Sequence, residues 1–578
     1  MPNPPSPKAA TPAQAWITRL ATPLQGAPTG PLIGLTFAAK DNIAVQGIPT
    51  TAGCPAYTFD ANQTATSVQR ALDAGATLLG KTNLDQFACG LNGTRSPYGP
   101  VPNAFDSRYV SGGSSSGSAY AVASGEADFS FGTDTAGSGR VPAGLNNIVG
   151  LKPSKGIVSA AGVVPAAQTQ DCVSIFALTV ATAVQVLQAV MAPDPADPYS
   201  RDHASLPMAR EPLPAAFRFG VPAELEFYGD TLAEAAFAQA CENLSALGGT
   251  AVPIDYRPLA EAAALLYDSA LVAERYAAVR GFFDAQPEAV IEPVRGILAA
   301  GARYGAADVF EAQHRLQALG ARAARMWADI DVLCVPTAPT HCTIEAMHAE
   351  PVQRNRELGY YTNFVNLLDY AALSVPASLR PVDGLPFGIT LIGRAGSDWQ
   401  LADLGQRFHH ATGLTLGATG RPLPAPVPIA GLAPTPQTHL LLAVVGAHLS
   451  GLPLNGQLTE RGARLAEATV TAPHYRLYAL PGTVPPKPGL GRVAAGETGA
   501  AIAVELWHLP IEQVGSFLAL VPPPLGLGSV ELADGRWVKS FICEGHALQA
   551  ALDVTEFGGW RAYVASRAPA AAAKPATA

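Results

Sequence analysis

Three short stretches carry residues that could perform covalent chemistry together. Residues 110–119 read VSGGSSSGSA, residues 132–140 read GTDTAGSGR, and well upstream residues 37–42 read FAAKDN. Ordering so much Gly and Ser is costly in backbone entropy, so a fold that orders them uses their N–H groups and hydroxyls. Lys40, Ser114 and Ser138, spaced 74 and 24 residues apart, supply a base, a relay and a nucleophile without any histidine.

Competing motifs fail on context. Gly75–Thr82 (GATLLGKT) fits the G-x-x-x-x-G-K-T phosphate-loop pattern, but its middle residues are strand-like and the helical pattern comes before it, not after. Gly113–Gly117 fits G-x-S-x-G, yet no buried strand pattern leads into it. The eleven histidines form no H-E-x-x-H pair, and His341, Cys342 and His348 lack zinc spacing. No metal and no cofactor are expected.

The elements around these stretches read as alternating strands and helices. Strands are predicted at 31–37, 76–79, 129–133, 217–222, 251–254, 332–335 and 386–392. Helices are predicted at 65–75, 120–125, 231–247, 259–285 and 399–410. That is an α/β pattern running to about residue 413. Residues 415–437 are rich in Pro, Gly and Ala and read as a linker. Beyond it, apolar runs at 439–447, 475–479, 501–507 and 537–543 predict a small β-rich α/β domain. The expected division is a disordered lead over 1–12, a catalytic domain over 13–414, the linker, an accessory domain over 438–566 and a disordered tail over 567–578.

Composition narrows the partners. Of 578 residues, 48% are apolar and 14% charged, which excludes a disordered or coiled-coil protein. The net charge is −9 with no Lys/Arg-rich run, so nucleic acid is not an expected partner. No apolar run is long enough to span a membrane, and the Pro-rich start lacks a signal-peptide core. Seven scattered cysteines without framework spacing point to reduced thiols and a cytoplasmic location.

Taken together, the stretches resemble the amidase signature family. The similarity is carried by LTFAAKDNI (35–43), GIPTTAGC (47–54), KTNLDQFACG (81–90), the two Gly/Ser stretches, DVLCVPTAP (331–339) and LPFGITLIG (385–393), and spans about residues 30–410. The resemblance implies a mixed β-sheet covered by helices, with Ser138 as nucleophile, Ser114 as relay after a cis peptide bond, and neutral Lys40 as base. It implies an oxyanion hole built from the N–H groups of Thr135, Ala136, Gly137 and Ser138, supported by Asp134, Arg140 and Gly113. Ala136 stands where the family commonly has Gly.

Further stretches resemble the allophanate hydrolases within that family: LNGTRSPYG (91–99), LLYDSALVAERY (265–276), APHYRLY (472–478), LGLG (525–528) and FGGWR (557–561). This implies a small carboxylated amide, allophanate, as substrate, and a homodimer. It also implies a functional link to a urea carboxylase or a biuret-producing pathway. Tyr267 and Arg275 are the implied substrate-binding pair; read on one helix, they lie about 12 Å apart. Asp268–Leu271 departs from the usual Gly-Pro-Trp-type stretch. The second domain resembles the family's cyclotransferase-like accessory domain, in which His474, Glu505 and His508 are candidates for acid–base work. Two alternatives remain open: another small amide as substrate, or an amidotransferase-like subunit.

Overall fold

The computed structural model describes residues 13–202, 204–432, 439–494 and 496–567. The expected lead over 1–12, the tail beyond Arg567 and the last part of the expected linker lie outside them. The chain divides into two compact units, Met1–Pro434 and Thr435–Ala578.

The first unit is built on eleven strands: β1 (Trp16–Leu24), β2 (Thr36–Lys40), β3 (Thr77–Thr82), β4 (Phe129–Asp134), β5 (Val149–Lys152), β6 (Cys172–Ala177), β7 (Phe217–Pro222), β8 (Gly249–Ile254), β9 (Val332–Pro336), β10 (Tyr370–Leu379) and β11 (Pro386–Arg394). They form one mixed sheet in the order β1-β3-β2-β4-β6-β5-β10-β11-β9-β7-β8. β4 and β6 bury every residue, as strands covered on both faces must. Its helices include α1 (Thr66–Asp73), α2 (Ser116–Ala123), α3 (Val141–Leu145), α4 (Val180–Val190), α5 (Thr231–Ala246), α6 (Arg257–Asp268) and α7 (Ala273–Ala285).

The centre of the sheet positions the chemistry. β2 runs parallel to β4, with Phe37 opposite Phe129 and Ala39 opposite Phe131. Phe37 stacks on Phe129 at 5.0 Å and meets Phe131 edge-on at 5.7 Å. This cluster locks the register that sets Lys40, the last residue of β2, beside the C-terminal end of β4. α2 is small and fully buried (SGSAYAVA), so it carries the serine loop close against the sheet.

Several expectations need correction. The strand predicted at 31–37 begins only at Thr36, because Leu32 is tied into a turn by its N–H bond to Ala74 O. Residues 77–82 are the inner strand β3, and Lys81 is buried against Asp41 at 3.1 Å, so this lysine serves an ion pair. The helix predicted over 259–285 breaks after Asp268. Ser269 turns extended, donates its hydroxyl to Leu265 O and accepts the Leu271 N–H. Of the expected linker, residues up to 432 pack on the first unit: Asn147 Nδ2 donates to Thr415 O and Gly417 O, Gln406 Nε2 donates to Val427 O, and Ile429 is buried. β1, β5, β6 and β10 carried no usable pattern in the sequence.

The second unit has strands β12 (His439–Val444), β13 (Arg464–Val470), β14 (Tyr475–Ala479), β15 (Pro488–Arg492), β16 (Ala503–Pro510), β17 (Leu525–Glu531), β18 (Trp537–Cys543) and β19 (Leu552–Asp553). They form a five-stranded sheet, β13-β16-β12-β18-β17, and a three-stranded one, β15-β14-β19. Leu442, Val444, Leu477, Leu506 and Trp560 lie in a core of this unit's own.

Candidate active site

Lys40, Ser114 and Ser138 converge, all buried. Lys40 Nζ lies 2.7 Å from Ser114 Oγ and 2.7 Å from Thr133 Oγ1. Ser114 Oγ is hydrogen-bonded to Ser138 Oγ at 3.0 Å, and the Ser138 hydroxyl reaches Gly90 O at 3.4 Å. The Gly113–Ser114 peptide bond is cis. A Cβ on Gly113 would lie 2.3 Å from Asp85 Oδ2 and 2.6 Å from Gly93 N, so only glycine fits there.

Burial pulls the Lys40 ammonium down to about 7, against the opposing pull of Asp85, Asp171 and Asp134; the Arg275 cation also lowers it. Among the described residues no carboxylate comes within ion-pair distance of Nζ. A lysine in that position is substantially neutral near pH 7 and able to accept a proton.

The turn that carries Ser138 follows β4 and is braced from within. Asp134 accepts Arg140 Nε at 2.9 Å and Arg140 Nη2 at 3.0 Å, the two-pronged geometry of a guanidinium on a carboxylate. Burial alone would raise the Asp134 pKa; Arg140, Lys152 and the Gly137 N–H hold it below the usual carboxylate value. The turn is also tied outward, since Arg140 Nη2 donates to Asn366 Oδ1 at 3.0 Å.

The four expected oxyanion donors are not equivalent. The Gly137 N–H donates to Asp134 Oδ1 at 2.8 Å, so it is already engaged. The Thr135, Ala136 and Ser138 N–H groups have no such partner among the described residues. The Ala136 methyl packs with Leu266 and Leu367, which explains how the chain tolerates a side chain there.

The break between α6 and α7 brings Tyr267 and Arg275 together. They are not 12 Å apart on one helix: Arg275 Nη2 donates to Tyr267 Oη at 3.3 Å, and the guanidinium lies 5.1 Å from the ring centroid. Arg275 is only 4% exposed, and its Nε and Nη1 meet no acceptor among the described residues. Its charge is felt at Lys40 and at Asp171, and its partner Tyr267 packs against the cluster of Leu266, Leu367 and Ala136 of the Ser138 turn.

Sequence reasoning missed Thr133, Asp85 and Asp171. Thr133 was visible as the residue before Asp134. Asp85 accepts the N–H groups of Asn92, Gly93 and Arg95 and donates its own N–H to Ser114 O at 3.0 Å, so it ties the 92–95 turn to the serine loop. Asp171, in QTQD, had no pattern to mark it. Packing around it raises its pKa to about 6.

In the second unit, Glu505 and His508 lie on β16 at odd spacing and so face opposite sides. His474 sits in the turn before β14, in a different sheet. Glu505 accepts from Ser450 N, Ser450 Oγ, Trp507 Nε1 and Arg561 Nη2. Burial opposes its ionisation, but these donors hold its pKa below the ordinary value. That is the pattern of a structural anchor, and the three candidates are not gathered into one site.

Comparisons with known proteins follow the same division. A family profile described as Amidase matches residues 6–402, and one described as Allophanate hydrolase C-terminal domain matches residues 440–565. Urea amidolyase of Saccharomyces cerevisiae is 45% identical over 547 residues, covering 93% of this chain but 30% of its own length. A glutamyl-tRNA(Gln) amidotransferase subunit of Halobacterium salinarum is 35% identical over 409 residues, covering 66% of this chain and 95% of its own. The solved structure of Kluyveromyces lactis allophanate hydrolase is 44% identical with a TM-score of 0.66, covering 93% of this chain and 89% of that one. The chain thus spans less than a third of the urea amidolyase it matches.

Proposed function

The chain belongs to the amidase family, and from that premise we propose that it hydrolyses allophanate to ammonia and carbon dioxide through a Ser–cis-Ser–Lys triad. The observation that carries the substrate is the Arg275 guanidinium. It is buried within electrostatic reach of Lys40, with two nitrogens unpartnered among the described residues. A buried cation without an acceptor is costly, so the site favours a ligand that brings a carboxylate. Allophanate offers a carboxylate at one end and a primary amide at the other. The match of residues 440–565 to the allophanate hydrolase C-terminal profile supports this reading over an amidotransferase-like role.

In the proposed reaction Ser138 Oγ attacks the amide carbonyl. Its proton passes to Ser114, and the Ser114 proton passes to Lys40 Nζ, across the 3.0 Å and 2.7 Å contacts. The carbonyl oxygen gains negative charge facing the N–H groups of Thr135, Ala136 and Ser138, where one donor is worth about 3–4 kcal/mol. Collapse breaks the C–N bond, the relay returns the proton to nitrogen, and ammonia leaves. Water then cleaves the Ser138 ester by the same relay. The released N-carboxycarbamate loses carbon dioxide. Arg275, with Tyr267 against it, holds the carboxylate throughout.

The link to a urea carboxylase or a biuret-producing reaction, and the homodimer, belong to this proposal. The test is ammonia release from allophanate beside biuret, malonamide and acetamide. The expected result is a kcat/KM for allophanate at least about tenfold above the neutral amides. Equal values would overturn the substrate assignment while leaving an amidase.

A further inference from the structure

The turn that handles the amide and the arginine that faces the carboxylate belong to distant parts of the chain, yet one loop joins them. Asp171, just before β6, lines a polar cleft of about 450 Å³ with Thr169, Lys155 and Tyr199. Its carboxylate accepts the Thr135 hydroxyl and the N–H groups of Ala166 at 2.9 Å and Ala167 at 3.3 Å. Two residues back, Thr169 donates its N–H and its hydroxyl to the Glu274 carboxylate at 2.7 and 2.8 Å. Glu274 immediately precedes Arg275 on α7. From the other side, Asn366 Nδ2 donates to Asp134 O at 2.7 Å and to Gln170 O at 3.0 Å, tying the loop to the nucleophile turn.

We infer that Asp171 is a positioning residue which, through the 166–171 loop and Glu274, sets the span between the oxyanion-binding N–H groups and the Arg275 guanidinium. The inference rests on the proposed carboxylated substrate. A rigid span selects one substrate length, because the amide and the carboxylate must be satisfied at once. Misplacement by about 1 Å can cost on the order of 10²-fold in rate. Asp171 forms no ion pair with Arg275 or Lys40 among the described residues. It acts on Arg275 through backbone and through space, and on Lys40 through space. The charged groups facing Lys40 are Asp85, Asp134, Asp171 and Arg275.

Asparagine preserves the geometry here: its oxygen accepts the Ala166 and Ala167 N–H groups while its NH₂ donates to Thr135. Alanine does not. The experiment measures steady-state ammonia release from allophanate and malonamide across pH for Asp171→Ala, Asp171→Asn and Glu274→Ala, with thermal melts alongside. Asp171→Ala should lose about 10²-fold in kcat on both substrates. Asp171→Asn should recover to within about fivefold, with the acid limb of kcat/KM displaced to lower pH, because Lys40 loses an anion that favours its protonated form. Glu274→Ala should lower the allophanate-to-malonamide ratio of kcat/KM by about tenfold.

Wild-type kcat in folded Asp171→Ala, or an unchanged ratio in Glu274→Ala, would overturn the inference. If Asp171→Ala does not fold, the Glu274→Ala ratio decides alone. If the wild type cleaves malonamide but not allophanate, the substrate reading fails, and kcat of Asp171→Ala on malonamide still tests the positioning role.

Discussion

Replacing Arg275 by methionine separates recognition from chemistry. Methionine keeps the bulk and removes the charge. Among the described residues Nε and Nη1 of Arg275 are buried and unpartnered, donors of a planar guanidinium held ready for carboxylate oxygens. Without them the substrate carboxylate enters a buried site unpaired, a loss of about 2–5 kcal/mol. At about 1.4 kcal/mol per decade this is a fall of roughly 30- to 4000-fold in kcat/KM for allophanate. A neutral amide makes no such contact and should change by less than about threefold. Arg275→Lys should recover only part of the activity, since a point charge cannot reproduce the planar array of donors. The assay is the ratio of kcat/KM for allophanate to that for malonamide in the three proteins. A ratio unchanged in Arg275→Met would refute the carboxylate-receptor argument, whatever happened to stability.

Other consequences are simpler to test. Ser138→Ala should abolish ammonia release with an unchanged melting curve; residual turnover above about 10⁻³ of wild type would remove Ser138 as the nucleophile. The rate should rise with pH through about 7 as Lys40 becomes neutral, and a falling rate over that window in folded protein would contradict a lysine base. Because the folded-state pKa lies below the ordinary lysine value of 10.5, the unfolded chain holds the extra proton between about 7 and 10.5; the Lys40 contribution to stability therefore improves as pH rises across that window, which urea titrations of wild type and Lys40→Met should reveal. Asp134→Asn leaves Arg140 buried without its anion and should cost about 3–5 kcal/mol in urea unfolding; a loss below about 1 kcal/mol would show that the turn is held by its backbone alone.

The parts of the site legible in the sequence were those made of local patterns. Lys40, Ser114 and Ser138 lie in stretches whose Gly and Ser content needs explaining wherever it occurs, and Phe217–Pro222 and Tyr475–Ala479 announced themselves as bounded apolar strands. What stayed hidden depends on distant pairing. β5 is four residues long and has meaning only between β6 and β10. The break at Ser269 looked like the middle of an apolar helical repeat, because the hydroxyl that caps the new turn is one ordinary serine. Asp171 is a lone acid whose partners are the Thr135 hydroxyl, 36 residues before it, and the backbone N–H groups of Ala166 and Ala167. The 415–432 segment has the composition of a free connector, but Asn147 and Gln406 supply donors for its carbonyls.

The strand order has a consequence for how the chain emerges from the ribosome. Lys40, Ser114 and Ser138, the proposed triad, are all synthesised within the first 138 positions. The sheet that holds them is completed by β10, which pairs with β5, and by β11 beyond it. Arg140 needs Asn366 to occupy its outer nitrogen. A nascent or prematurely ended chain that stops short of about residue 394 therefore carries the whole reactive set, yet leaves β5 as a raw edge and the nucleophile turn unanchored. On the proposed reading, activity is withheld until most of the first unit has been made, so fragments of the chain should be inert as well as unstable.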